Sequence, residues 1–164
     1  MYFELVVTTI IGLLGTAIAI FLYYLVQRYP TGTESMRSVW IAIREGSSAY
    51  LKRQFKTIMS VSILLAIFTF ASLYAGTGDL RNAIMTSFAF VLGTLMSLGA
   101  AFLSMDASTR SNVRTTYAAK DGAYQSLKVA TLGGGVLGFS VISMSLLSLS
   151  ILFIFFHFLL GGGT

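Results

Sequence analysis

Long uncharged apolar runs alternate along this chain with short segments that hold nearly all of its charge. Leu5 to Val26, Thr57 to Tyr74, Ala83 to Met105 and Val129 to Leu160 contain no Asp, Glu, Lys or Arg. A helix that crosses a bilayer needs about 20 apolar residues at ~1.5 Å each. The pattern therefore predicts an all-α polytopic membrane domain of four transmembrane helices, over about 4–27, 34–75, 81–118 and 123–160. The first run carries no Lys or Arg ahead of it and continues past the small residues Ala17 and Ala19. It reads as a retained helix rather than a signal peptide.

The second helix is the unusual one. Tyr29-Pro30-Thr31-Gly32 breaks the chain, Thr33 or Glu34 starts the helix, and no turn cluster separates that start from the apolar run. Its first ~23 residues, about 35 Å, read as amphipathic. Met36, Trp40, Ile43, Tyr50, Phe55 and Ile58 fall mainly on one side, and Arg37, Arg44, Ser48, Lys52 and Lys56 on another. Such an extension either carries a domain or lies on anionic lipid. Further along, Asp79 is placed to cap the third helix, Asp106 and Arg110 stand at i,i+4, and Lys120-Asp121-Gly122 reads as a turn. Arg44-Glu45-Gly46 followed by Leu51-Lys52 is echoed by Lys120-Asp121-Gly122 followed by Leu127-Lys128, a weak sign of an internal repeat.

Composition sharpens the class. Hydrophobic residues make up 55% and charged residues 10%, against roughly a quarter charged in soluble domains. These figures exclude a disordered chain and speak against a soluble globular one, making a membrane protein the default class. Cysteine is absent, so there is no disulfide frame and no thiolate metal site. The net charge of +5 follows from topology: ten of the eleven basic residues lie in the two connections on one side of the membrane. By the positive-inside rule that side is cytoplasmic and both termini face out, in the inner membrane if the source is bacterial. Basic residues beside spans do not indicate nucleic-acid binding.

Candidate chemistry is sparse. His157 is the one titratable group within a run, and its phenylalanine neighbours mark an interfacial residue rather than a relay or ligand. The six acids are scattered, so no magnesium cluster forms and no catalytic, cofactor or metal residue is assigned. Gly133 to Gly135 and Gly161 to Gly163 lack the strand–loop–helix context of a phosphate loop. Small-residue pairs, Gly12/Thr16, Gly15/Ala19, Gly93/Ser97/Ala101 and Gly134/Gly138, are packing seams where helix backbones approach.

Two segments carry a resemblance. Glu45-Gly46-Ser47-Ser48-Ala49-Tyr50-Leu51-Lys52-Arg53-Gln54-Phe55-Lys56 is similar to the motif that opens the second helix of membrane-bound, ion-pumping pyrophosphatases. Ser104-Met105 and Asn112-Val113-Arg114-Thr115 resemble the end of that family's third helix. Ser47, Ser104, Ser111 and the acidic Asp106 depart from its usual pattern. The resemblance implies a portion of a pump of about sixteen helices, which hydrolyses pyrophosphate with magnesium, exports protons or sodium, and pairs as a homodimer when complete. It implies N-terminal scaffold helices without the catalytic ones, inactive alone, whose partners are lipid and the remaining helices. A non-enzymatic four-helix scaffold or assembly subunit is the alternative. Glu45, Gly46, Arg53, Gln54, Lys56, Asn112 and Arg114 are the motif residues, with a structural role. The planar fork of Arg114 is expected to bind carbonyls at the end of a neighbouring helix, or Glu45, and so clamp the second helix to the third.

Overall fold

The computed structural model describes residues 2–160. Its elements are α1 (Tyr2–Gln27), α2 (Glu34–Thr77), α3 (Leu80–Ala118), a short 3-10 turn (Ala119–Asp121) and α4 (Ala123–Leu160). All four α-helices are long and apolar enough to cross a membrane, so the chain is an all-α polytopic membrane protein. The terminal Gly161-Gly162-Gly163-Thr164 lies outside the described residues.

Local chemistry sets the breaks. Thr33 opens α2 by accepting a hydrogen bond from the Met36 N–H at 3.4 Å. Asp79 opens α3 by accepting from the N–H groups of Arg81 and Asn82 at 3.0 and 3.1 Å. Between them Gly78, at φ 68°, donates its N–H to the Tyr74 carbonyl and ends α2 in the left-handed conformation that glycine adopts without strain. Gly122, at φ 115°, separates the 3-10 turn from α4. The matching Gly46 stands in mid-helix in α2, so the two look-alike segments fold differently and the echo is not a structural repeat.

The helices stand side by side in the order α1, α4, α3, α2. α1 packs on α4, α4 on α3 and α3 on α2; α1 also meets α3 briefly, while among the described residues the backbone of α2 comes close to neither α1 nor α4. Small residues make the α1–α4 seam. A Cβ at Gly12 would stand 3.0 Å from Leu147, and one at Gly135 2.9 Å from Leu22. At Gly15 it would overlap the hydroxyl of Ser143, which is 1% exposed. Gly133 likewise leaves room for Ser111 of α3. In lipid there is no hydrophobic gain from helix association, so close backbone approach supplies it.

The Gly134/Gly138 pair expected as a seam is not one in this fold, and the Gly93/Ser97/Ala101 stripe faces α4 across a cavity rather than in close contact. A Cβ at Gly134, Gly138 or Gly93 would meet nothing within 4 Å. On α4 the contacts to α3 and α1 fall at Gly133 and Gly135, on either side of Gly134. Spacing shows that a face is smooth but not which neighbour it meets.

The contact face of α2 is not simply its apolar side. Its shielded positions recur every three or four residues at Trp40, Arg44, Ser47, Leu51 and Gln54, and resume at Ser62 and Ala66. Tyr50, Phe55 and Ile58 are 55%, 44% and 38% exposed. Large apolar side chains lose nothing by facing lipid, whereas small and polar ones make interhelical contact. The stripe shows that α2 follows α3 along nearly its whole length.

Candidate functional site

One end of the layer, where α1 and α3 finish and α2 and α4 begin, gathers most of the charge; it is called the basic end below. Asp106 is its centre, one residue past the uncharged run of α3. Its Oδ2 accepts from Arg110 Nε at 2.7 Å and from the Tyr23 hydroxyl at 2.8 Å, and its Oδ1 accepts from Arg44 Nη2 at 3.2 Å. Tyr23 belongs to α1 and Arg44 to α2, so a single carboxylate joins three helices. The Arg110 guanidinium also lies 5.9 Å from the centre of the Tyr23 ring, and that of Arg44 5.7 Å from the Trp40 ring. Partial burial pushes the Asp106 pKa up. The hydrogen bonds from Arg110 and Tyr23 and the charges of Arg110 and Arg44 outweigh that, and hold the carboxyl below its ordinary range.

Arg114, two turns further along α3, is 7% exposed. Its Nε donates to the Tyr29 carbonyl at 3.0 Å and its Nη1 to the Arg110 carbonyl at 2.8 Å. Tyr29 lies just past α1, where carbonyls have lost their helical partners. The planar fork reaches one carbonyl on each segment and so fixes the exit of α1 against α3. The alternative partner, Glu45, is exposed on α2 and is not reached. The link between α2 and α3 is made instead by Arg44 and Asp106. Neighbouring residues on a helix point about 100° apart, and Arg44 rather than Glu45 lies on the α3-facing stripe.

The other motif residues are not brought together. Gly46 has open space around it. Arg53 and Lys56 are exposed, and Gln54 donates to the Tyr50 hydroxyl at 3.2 Å. Asn112 lines a shallow groove of about 240 Å³ between α2 and α3, with Trp40 and Thr109. His157 stacks on Phe153 at 6.5 Å, far from the basic end. Sequence reasoning found the Asp106–Arg110 pair from its spacing but missed Tyr23, Tyr29 and the role of Arg44. Nothing local to those three signals a contact more than sixty positions away.

What this arrangement does chemically is hold helices. Among the described residues no three His, Cys, Asp or Glu side chains gather as a metal site would require.

Comparison with known proteins agrees with the membrane fold. The profile of the family described as "Inorganic H+ pyrophosphatase" matches residues 13–161. A K(+)-insensitive pyrophosphate-energized proton pump of Methanosarcina mazei is 35% identical over 125 residues, 76% of this chain and 18% of that protein. One of the same description from Pyrobaculum aerophilum is 36% identical over 129 residues, 78% of this chain and 18% of the relative. A K(+)-stimulated pyrophosphate-energized sodium pump of Thermotoga maritima is 35% identical over 114 residues, 68% of this chain and 14% of the relative. The chain thus spans less than a fifth of the length of these relatives. With the profile covering most of its length, the chain belongs to the inorganic H+ pyrophosphatase family.

Proposed function

We propose that this chain forms the N-terminal scaffold helices of a pyrophosphate-energised cation pump, with pyrophosphate hydrolysis and ion export carried by helices that are not in it. The observation that carries this reading is the profile match over residues 13–161, set beside the small share of each relative that is covered. The geometry supports it: the best-built polar site fastens three helices to one another and gathers no set of acids for a metal–pyrophosphate complex. In this reading the basic end is cytoplasmic and both termini face out, because ten of eleven basic residues lie on that side. Magnesium and the reacting phosphates belong to the rest of the pump, and so does the choice between proton and sodium.

The test is a pair of measurements. The purified 164-residue chain in liposomes is expected to release no phosphate from magnesium pyrophosphate above protein-free vesicles, whereas the reading frame that continues beyond Thr164 is expected to hydrolyse it and build an ion gradient. Hydrolysis by the short chain itself sinks the scaffold reading. A stop codon directly after Thr164 in an intact gene transfers support to a stand-alone membrane scaffold.

A further inference from the structure

The two faces of the layer beside α3 and α4 are built from different side chains. On one, a cavity of about 520 Å³ is walled by Ile20, Tyr24, Leu103 and Leu147, all bulky. On the other, a groove of about 550 Å³ between α3 and α4 is lined mainly by small residues, among them Gly93, Ser97 and Ser104 of α3 and Ser145 and Ser148 of α4. At 100° per residue Gly134, Gly138, Val141, Ser145 and Ser148 fall within one sector of about 80° on α4. Gly93, Ser97, Ala100 and Ser104 keep within about 60° on α3. A Cβ at Gly93, Gly134 or Gly138 would meet nothing within 4 Å, so both stripes are open.

The groove runs through the middle of the span. Gly99 stands against Met144, and Phe88 stacks on Phe155 at 4.7 Å. Ser148 lies between those two contacts, level with the centre of the uncharged run of α3 and well inside that of α4. Ser148 and Ser104 are each 8% exposed. The neighbouring Ser145 and Ser150 turn their hydroxyls back to the Val141 and Leu146 carbonyls at 2.9 and 3.0 Å. Among the described residues the hydroxyls of Ser148 and Ser104 have no partner. At the depth of Ser148 there is no water to supply one, and acyl chains offer no acceptor.

We propose that this groove is the seat of a further transmembrane helix, supplied by the polypeptide that follows Thr164, which lays small residues against α3 and α4 and offers Ser148 a hydrogen-bond acceptor. This rests on the scaffold reading above, and names the surface by which the scaffold holds the rest of the pump. Two smooth stripes side by side admit a helix backbone at close range. The unpaired hydroxyl selects a polar partner over lipid. A second copy of this chain fits badly, because a two-fold contact here sets one groove against another. The matched part is 18% of the Methanosarcina mazei relative, which leaves ample chain for further helices.

Two measurements test it. The first is substitution in two contexts. Gly138→Leu and Ser145→Leu are expected to leave the melting temperature of the 164-residue chain unchanged and to lower that of the complete pump by several degrees. Ser148→Ala adds no volume; it is expected to leave the short chain unchanged and to lower the pump by a smaller amount. Unchanged melting of the leucine variants in the pump puts lipid on this face; that overturns the seat and leaves the scaffold reading standing. A fall in the short chain as well means that the groove is already filled there, and overturns it too. A Ser148→Ala pump that melts like its parent overturns the polar partner.

The second measurement identifies the neighbour. A photoreactive residue in place of Ser145 in the complete pump is expected to cross-link to a peptide from beyond residue 164, read by mass spectrometry. A lipid adduct, or an adduct to residues 1–164 of another copy, overturns the assignment. Assembly of the substituted short chain but not of the substituted pump shows the groove filled by later polypeptide and supports it. A frame that stops at Thr164 removes both readings together.

Discussion

The two outer helices of the layer, α1 and α2, are held in opposite ways. α1 lies in a seam of glycines and serines on α4, where Gly15 and Ser143 leave no space between backbones. α2 lies on α3 through a stripe that includes Arg44, Ser47 and Gln54, with an ion pair from Arg44 to Asp106. The first contact is steric and indifferent to charge; the second is polar and depends on it. One membrane layer therefore contains a joint that fails on added volume and another that fails on lost charge.

Four changes separate the joints, from the largest expected effect to the smallest. Gly15→Leu forces a branched side chain into Ser143 and should destabilise the chain by about 3 kcal/mol, as overpacking does. Thermal unfolding in detergent measures it, and an unchanged melt means α1 is not seated on α4. Arg114→Lys loses the fork between the Tyr29 and Arg110 carbonyls and should cost about 2 kcal/mol while topology persists. A variant that melts like the parent reduces Arg114 to a headgroup anchor.

Asp106→Asn should cost about 1 kcal/mol, because the carboxylate and its partners are partly open to solvent. Its signature is pH. The folded carboxyl titrates below its unfolded value, so its contribution is full above the unfolded pKa and fades as pH falls through the folded one. The difference between parent and variant should therefore shrink below about pH 4. A gap that stays constant down to pH 2.5 shows that charge is not what holds α2. Gly138→Leu, facing open space, should change stability by less than about 0.5 kcal/mol. A larger loss puts a neighbour on that face in the protein as purified.

The fold class was legible because span length and the absence of charge are summed over whole segments. The caps at Thr33 and Asp79 were legible because capping is a matter of three residues. Packing faces were not. The GxxxG at Gly134 and Gly138 looked like a seam and faces outward, while Gly133 and Gly135 on either side carry the contacts. The apolar side of early α2 does not by itself tell what it meets, and Tyr50 and Phe55 are exposed. Water's rule, that apolar means inside, gives no guidance for helices whose surroundings are themselves apolar. The site was half legible: Asp106 and Arg110 advertise each other by spacing, whereas Tyr23 and Tyr29 meet α3 only because the layer folds back.

The order of the helices also sets a timetable for assembly. α1 is complete at Gln27, but its packing surface arrives only with α4, which begins at Ala123. Among the described residues the backbone of its chain neighbour α2 does not pack against it. During synthesis α1 must therefore wait in the lipid, its glycine face uncovered, until nearly a hundred further residues have been inserted. The α2–α3 hairpin, joined by Gly78 and Asp79, has no such delay and closes as soon as both arms are in the bilayer. A ribosome halted shortly after α3 should hold a nascent chain with α2 and α3 already paired and α1 still free to diffuse sideways. α1 is thus fastened later than the hairpin that follows it in the chain.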